Sequence, residues 1–182
     1  MNIFYLNSDP VICAQEHCDK HVVKMILEYA QLLSTAKRVL DGKEVIEISA
    51  AGRKLKRWKL DSELDNVIYK STHINHPCNI WTRYSFDNYS FLVRLLEELC
   101  AEYTHRYGKV HLVERKELPG IFRLRTPKFI NNGWTDPPLA MPDECKINDN
   151  PILSYQEFYR KEKAYFAKWS KREIPSWFIT ND

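Results

Sequence analysis

The chain has 182 residues, 44% hydrophobic and 13% aromatic, enough to bury one sizeable core, so a single domain over residues 1–182 is expected. A formal net charge of +3 permits an anionic partner without demanding one. Five irregularly spaced cysteines, no apolar leader and no apolar run of about 18 residues point to a reduced, cytoplasmic chain without a membrane span. Only five glycines, and neither GxGxxG nor GxxxxGKS/T, remove the usual support for a nucleotide cofactor.

Residues 2–6 read as a short extended segment. Asp9-Pro10 is a capping residue followed by proline at the first helical position, and Asp41-Gly42 is a stop, so one helix is expected over residues 10–40. Its core stripe includes Val22, Met25, Ile26, Tyr29, Leu32 and Leu33. Beside that stripe His17, His21, Lys24, Glu28, Gln31 and Thr35 recur every three or four residues. A carboxylate and two imidazoles at the core boundary can be partly desolvated and tuned for proton transfer, although the same spacing also fits a solvated face with a Lys24–Glu28 pair.

Residues 43–61 are basic and poorly periodic and read as a loop, in which Arg53, Lys54, Lys56, Arg57 and Lys59 around Trp58 suit a phosphate backbone or plain solvation. Short helices are expected over residues 62–71 and from His76-Pro77 to Trp81. A longer one spans residues 86–107 and ends at Gly108. Residues 119–151 hold six prolines and little periodicity, which predicts a long ordered loop of the kind that carries function. A last helix over residues 154–171 precedes the aromatic tail 174–178. The expected fold is thus mainly α, a compact single-domain helical bundle with a short N-terminal extended segment and a long Pro-rich loop.

Three further constellations carry possible chemistry. His17 and His21 form an i, i+4 pair, His73, His76 and Cys78 cluster near a turn, and Cys18 or Cys145 could complete a zinc site. No CxxC or HExxH pattern is present, and His76 before Pro77 fits a helix-capping or packing residue better, so no metal is expected beyond the weak candidates His17 and His21. Cys13, Cys18 and Cys100 lie on apolar stripes as core residues. Asp136, Asp143 and Glu144 sit on a proline-stiffened loop, where Trp134 and Met141 could line a base pocket. Tyr155, Tyr159 and Trp169 read as core, leaving Trp177 and Phe178 as candidate stacking residues.

Asp19-Lys20-His21 followed by Glu28 on one long helix resembles the N-terminal helix of the phage pyrimidine-dimer DNA glycosylases. Asn75-His76-Pro77, Glu102-Tyr103 and Arg106-Tyr107-Gly108 resemble elements of their bacterial relatives. The Tyr- and Lys-rich closing helix with Pro175-Ser176-Trp177-Phe178 is similar to the aromatic segment that such enzymes present to DNA. The resemblance implies a phage-like, mostly helical, monomeric enzyme of the cytoplasm, or of a host's cytoplasm if phage-encoded. It would act on damaged or modified bases in duplex DNA, as an N-glycosylase with abasic-site lyase activity and no cofactor. It implies attack by an N-terminal amine on C1′, with Glu28 stabilising charge and moving protons and His21 as its neighbour. That amine belongs to Met1, since asparagine in second place disfavours removal of the initiator, or to Asn2 after removal. Leu27 and Gln31 stand where the phage enzymes carry arginines, so Lys24, Gln31, Arg38, Arg57, Trp58, Trp177 and Phe178 become the candidate DNA contacts. The rival readings are a transferase modifying a DNA base on this scaffold, and a noncatalytic DNA-binding protein.

Overall fold

In the computed structural model, which describes residues 1–179, the helical period running through residues 10–40 is interrupted once, giving α1 (Pro10–Glu16) and α2 (Asp19–Asp41). Asp9 caps α1 by accepting the Val11 N–H at 2.8 Å. His17 and Cys18 between the helices are extended. A continuous helix would donate the Asp19 N–H to the Gln15 carbonyl, but that carbonyl accepts from Arg106 (2.8 Å), and the next, at Glu16, accepts from Trp169 Nε1 (2.8 Å). The Asp19 N–H turns instead to the Lys168 carbonyl at 2.7 Å. The break replaces local bonds with distant ones, which apolar periodicity does not register because Cys13, Ala14, Val22 and Met25 on both pieces face one core.

Residues 43–61, read as a loop, fold as an antiparallel hairpin of β1 (Lys43–Ile48) and β2 (Lys54–Lys59), with Lys43 opposite Lys59 and Ile48 opposite Lys54. Its alternation was obscured because both faces are partly wet: Ile46 and Ile48 are exposed, and the ladder carries ion pairs such as Lys56–Glu44 at 3.0 Å. After the single turn α3 (Leu64–Val67), α4 (Pro77–Tyr84) is capped by His76, and α5 (Phe86–Tyr107) is capped by Ser85. Gly108 ends α5 at φ 63°, a left-handed position that glycine adopts without a Cβ penalty. The expected helix over residues 62–71 is therefore shorter than read, the one opened by Pro77 is longer, and α5 keeps its expected bounds.

α6 (Leu112–Arg115) and α7 (Leu118–Leu124) follow, so Pro119 lies in a helix rather than opening a loop; it occupies the first turn, where its missing N–H has no partner to lose. From 125 to 150 the only helical piece is a 3-10 turn, Asp143–Cys145. Side chains tie this stretch down: Asn88 and Thr135 exchange two bonds, Trp81 Nε1 donates to the Thr135 carbonyl, and Tyr155 donates to the Pro138 carbonyl. α8 (Pro151–Glu162) starts three residues before and stops well short of its expected span. The described residues are thus mainly α-helical, no helix among them is long and apolar enough to cross a membrane, and their buried apolar side chains form one cluster.

Candidate active site

Residues 1–6 make no sheet; they are threaded among the helices and held by side chains. Asn2 Nδ2 donates to the Ala140 carbonyl (2.7 Å), the Phe4 N–H donates to Tyr29 Oη (3.0 Å), and Gln156 Nε2 donates to the Leu6 carbonyl (3.1 Å). Ile3, Phe4, Tyr5 and Leu6 are buried in the core. The terminus is therefore fixed in register, and its amine lies 3.9 Å from Glu28 Oε2. The Met1 and Glu28 side chains are 7% and 16% exposed, so the pair sits at the rim of the core and not in bulk water. Lys24, one turn earlier on α2, places its ammonium 3.2 Å from the other carboxylate oxygen. Among the described residues no well-aligned hydrogen bond reaches Glu28; it has ionic neighbours and spare acceptor capacity.

The loop before α4 is tied to the same helix, α2, at Thr35. Thr35 Oγ1 accepts from the Thr72 N–H (3.2 Å), and Asn79 Nδ2 donates to the Thr72 and His73 carbonyls. His73 turns the chain at φ 47°, and the His76 N–H closes that turn on the His73 carbonyl. His76 Nδ1 accepts the Cys78 N–H at 3.2 Å. Burial lowers the pKa of His76, and the cationic Met1 amine and His73 push it the same way against the opposing pull of Glu28. The fully buried Asn79 keeps an unpartnered Oδ1 beside this loop.

His21 is placed elsewhere. Its ring stacks on Phe4 at 4.2 Å, is edged by Tyr159 and Phe166, and its Nδ1 accepts from the Tyr159 hydroxyl at 2.5 Å. Burial, then the charges of His17, Lys163 and Lys24, bring its pKa down to about 3. His21 is thus a neutral packing group, two helical turns from Glu28 and bonded away from it. His17 is sealed: Nδ1 donates to the Cys13 carbonyl (2.6 Å), Tyr29 donates to Nε2 (3.2 Å), and burial lowers its pKa to about 4. With both nitrogens engaged it has no lone pair for a metal, and among the described residues no three His, Cys, Asp or Glu groups are placed to hold one.

Several candidate DNA contacts turn inward. Arg38 is buried and spends its guanidinium on the carbonyls of Tyr69, Trp58, Asp65 and Ile68 and on the Asp65 carboxylate, so it braces the hairpin against α2. Arg57 donates to the Ser71 carbonyl, and with Trp58 it lines a cleft of about 30 Å³, room for roughly one water. Trp177 packs on Tyr159 and Phe178 on Trp169, both half-buried. Lys24 is solvent-exposed and Gln31 half-buried on the Glu28 face. Asp143 pairs with Lys146, Asp136 accepts from Trp134 Nε1, and Met141 is buried, so the proline-rich stretch gathers no acid pair. All five cysteines are buried and free. A cleft of about 640 Å³ beneath residues 172–179 contains Glu16, whose pKa burial raises, but none of the residues around Met1.

Sequence reasoning missed the buried ion cluster joining α2, α5 and the C-terminal segment. Arg106 donates to Glu102 (2.6 Å) and Asp19 (2.8 Å), and Arg172 donates to the other oxygen of Glu102 (2.8 Å). Glu102 and Arg106 stand at i and i+4 on α5, a spacing visible in the sequence. Tyr165, expected on the last helix, lies beyond the end of α8 and is 85% exposed. Comparison with protein-family models, curated proteins and solved structures returns no match.

Proposed function

We propose that the protein is a DNA N-glycosylase with abasic-site lyase activity, acting as a monomer on a damaged or modified base in duplex DNA. The Met1 amine is the nucleophile at C1′, and Glu28 stabilises the positive charge that develops on the sugar. The observation that supports this reading above others is the terminal amine pinned 3.9 Å from a half-buried carboxylate by a segment whose every residue from 3 to 6 is buried. A merely structural terminus needs neither a carboxylate with spare acceptor capacity nor an open rim.

The amine route needs no metal or cofactor: an α-amine of reference pKa about 7.7 to 8.0 is partly unprotonated near neutral pH. The reading places the nucleophile on Met1 itself, since deleting that residue would draw the new amine back by about 3.8 Å, one Cα step. Lys24 beside the carboxylate supplies a cation for the DNA backbone. Incubation with duplex DNA carrying one cyclobutane pyrimidine dimer or one abasic site tests the reading through strand cleavage at the lesion. Cleavage lost on adding Gly-Ser ahead of Met1 is expected; cleavage unaffected by that extension contradicts it.

A further inference from the structure

Within that proposed function, on which this step rests, the departing base also needs a partner. We propose that His76 supplies it, as a neutral imidazole whose Nε2–H donates a hydrogen bond to the acceptor next to the glycosidic nitrogen, O2 of a pyrimidine or N3 of a purine.

The cap fixes which nitrogen carries the proton. Nδ1 accepts the Cys78 N–H at 3.2 Å, so in the neutral ring the proton resides on Nε2. Neutrality is favoured first by burial, with the Met1 amine of the terminal segment and His73 of the same loop acting in the same direction and Glu28 of α2 opposing them. Nε2 has no hydrogen-bond partner among the described residues, while every element around it is anchored. The Cys78 thiol meets the backbone of Ile3, two residues from the amine, and Thr35 of α2 holds Thr72. His76 is itself half-buried, and the Met1 amine and Glu28 are among its charged neighbours.

The electron count requires such a donor. The Met1 nitrogen, after losing one proton to solvent, forms a bond to C1′ as the C1′–base bond breaks, and the bond's electron pair leaves on the base, concentrated at O2 or N3. His76 stabilises that charge without giving up its proton, and the base takes a proton from solvent. A second amine proton passes to O4′ as the sugar opens, and the third remains on the iminium.

Two reactions of one protein separate this role from a structural one. His76→Ser keeps a capping oxygen for α4 and removes the donor, and His76→Asn is a second capping variant should the first not fold. Glycosidic cleavage at one thymine dimer in duplex DNA, read as free thymine after photoreversal because the cyclobutane ring otherwise keeps the base on its neighbour, should fall by about 100-fold, the cost of losing one donor to a developing anion. Borohydride trapping at a preformed abasic site, where no base remains to leave, should stay within about 2-fold of wild type on the same reasoning. Equal losses in both reactions, or no loss in base release, overturn the assignment. So does a wild type that traps on the abasic site but yields no free thymine from the photoreversed dimer. Failure of the wild type to trap at all sinks the amine chemistry itself, a distinct result.

Discussion

Two regions of α2 set carboxylates among cations, and they are finished differently. At the helix start, Asp19 accepts from Arg106, from the Ser170 N–H and from the Ser170 hydroxyl, and the adjoining Glu102 accepts from Arg106 and Arg172. Two turns on, Glu28 has the Met1 amine at 3.9 Å and Lys24 at 3.2 Å, with oxygens still able to accept. Burial acts to raise the Glu102 and Asp19 carboxyls, yet the hydrogen bonds of Arg172 and Arg106 on the one and of Ser170 and Arg106 on the other outweigh it and hold both below the usual range. A carboxylate with its lone pairs filled is a fastener, whereas one left short at an open rim is available to a substrate.

The largest contrast should come from stability. Arg106→Ala leaves Glu102 buried beside only Arg172, and its unfolding free energy in urea should drop by about 3 to 5 kcal/mol. Glu28→Gln should stay within about 1 kcal/mol of wild type in the same titration, because shape and packing are kept. A Glu28→Gln variant as unstable as Arg106→Ala would erase the distinction between the two regions.

Next in size, Glu28→Gln should cut lesion cleavage by about 100-fold or more while leaving DNA affinity near wild type, the pattern of a group that acts on transition-state charge. Matching losses in binding and turnover would place Glu28 in the binding surface instead.

Acid sensitivity should follow the histidines packed near the fastened end. His17, with a folded pKa of about 4, and His21, at about 3, resist protonation in the fold but not in the unfolded chain, where the reference value is 6.5. The unfolded state therefore binds protons first, so stability is full above pH 6.5 and declines as pH falls toward 4. Below that, protonation of Glu102 removes a further contribution, since its folded pKa is depressed. Thermal denaturation against pH checks the order, and His21→Phe should flatten the upper part of the decline.

The smallest effect belongs to Lys24→Ala. With its side chain 65% exposed, Lys24 contributes little to folding, and its loss should lower the slope of log Kd against log salt by about 1. An unchanged slope would remove the Glu28 face from the DNA path.

Local chemistry made much of this legible. The Asp9-Pro10 start, the Gly108 end of α5 and the apolar stripe of α2 depend on neighbours in sequence, and they stand where capping and periodicity put them. The break at His17-Cys18 was not legible, because the bonds that replace the helix there come from Arg106 and Trp169, far along the chain. Nor was the fate of Arg38, an arginine in composition a phosphate contact, whose donors are consumed by carbonyls that only folding brings near. Glu28 stood out on the polar stripe and Met1 by resemblance; what sequence did not disclose is the loop from 72 to 76 beside them, since one-helix periodicity says nothing about what faces a helix.

The most direct measurement is sodium borohydride trapping of the 182-residue chain on duplex DNA with a single abasic site, followed by peptide mass spectrometry. A reduced adduct on the Met1 amine is the predicted result. An adduct confined to lysine side chains, or none while DNA is still bound, would contradict the account and favour base modification or noncatalytic binding.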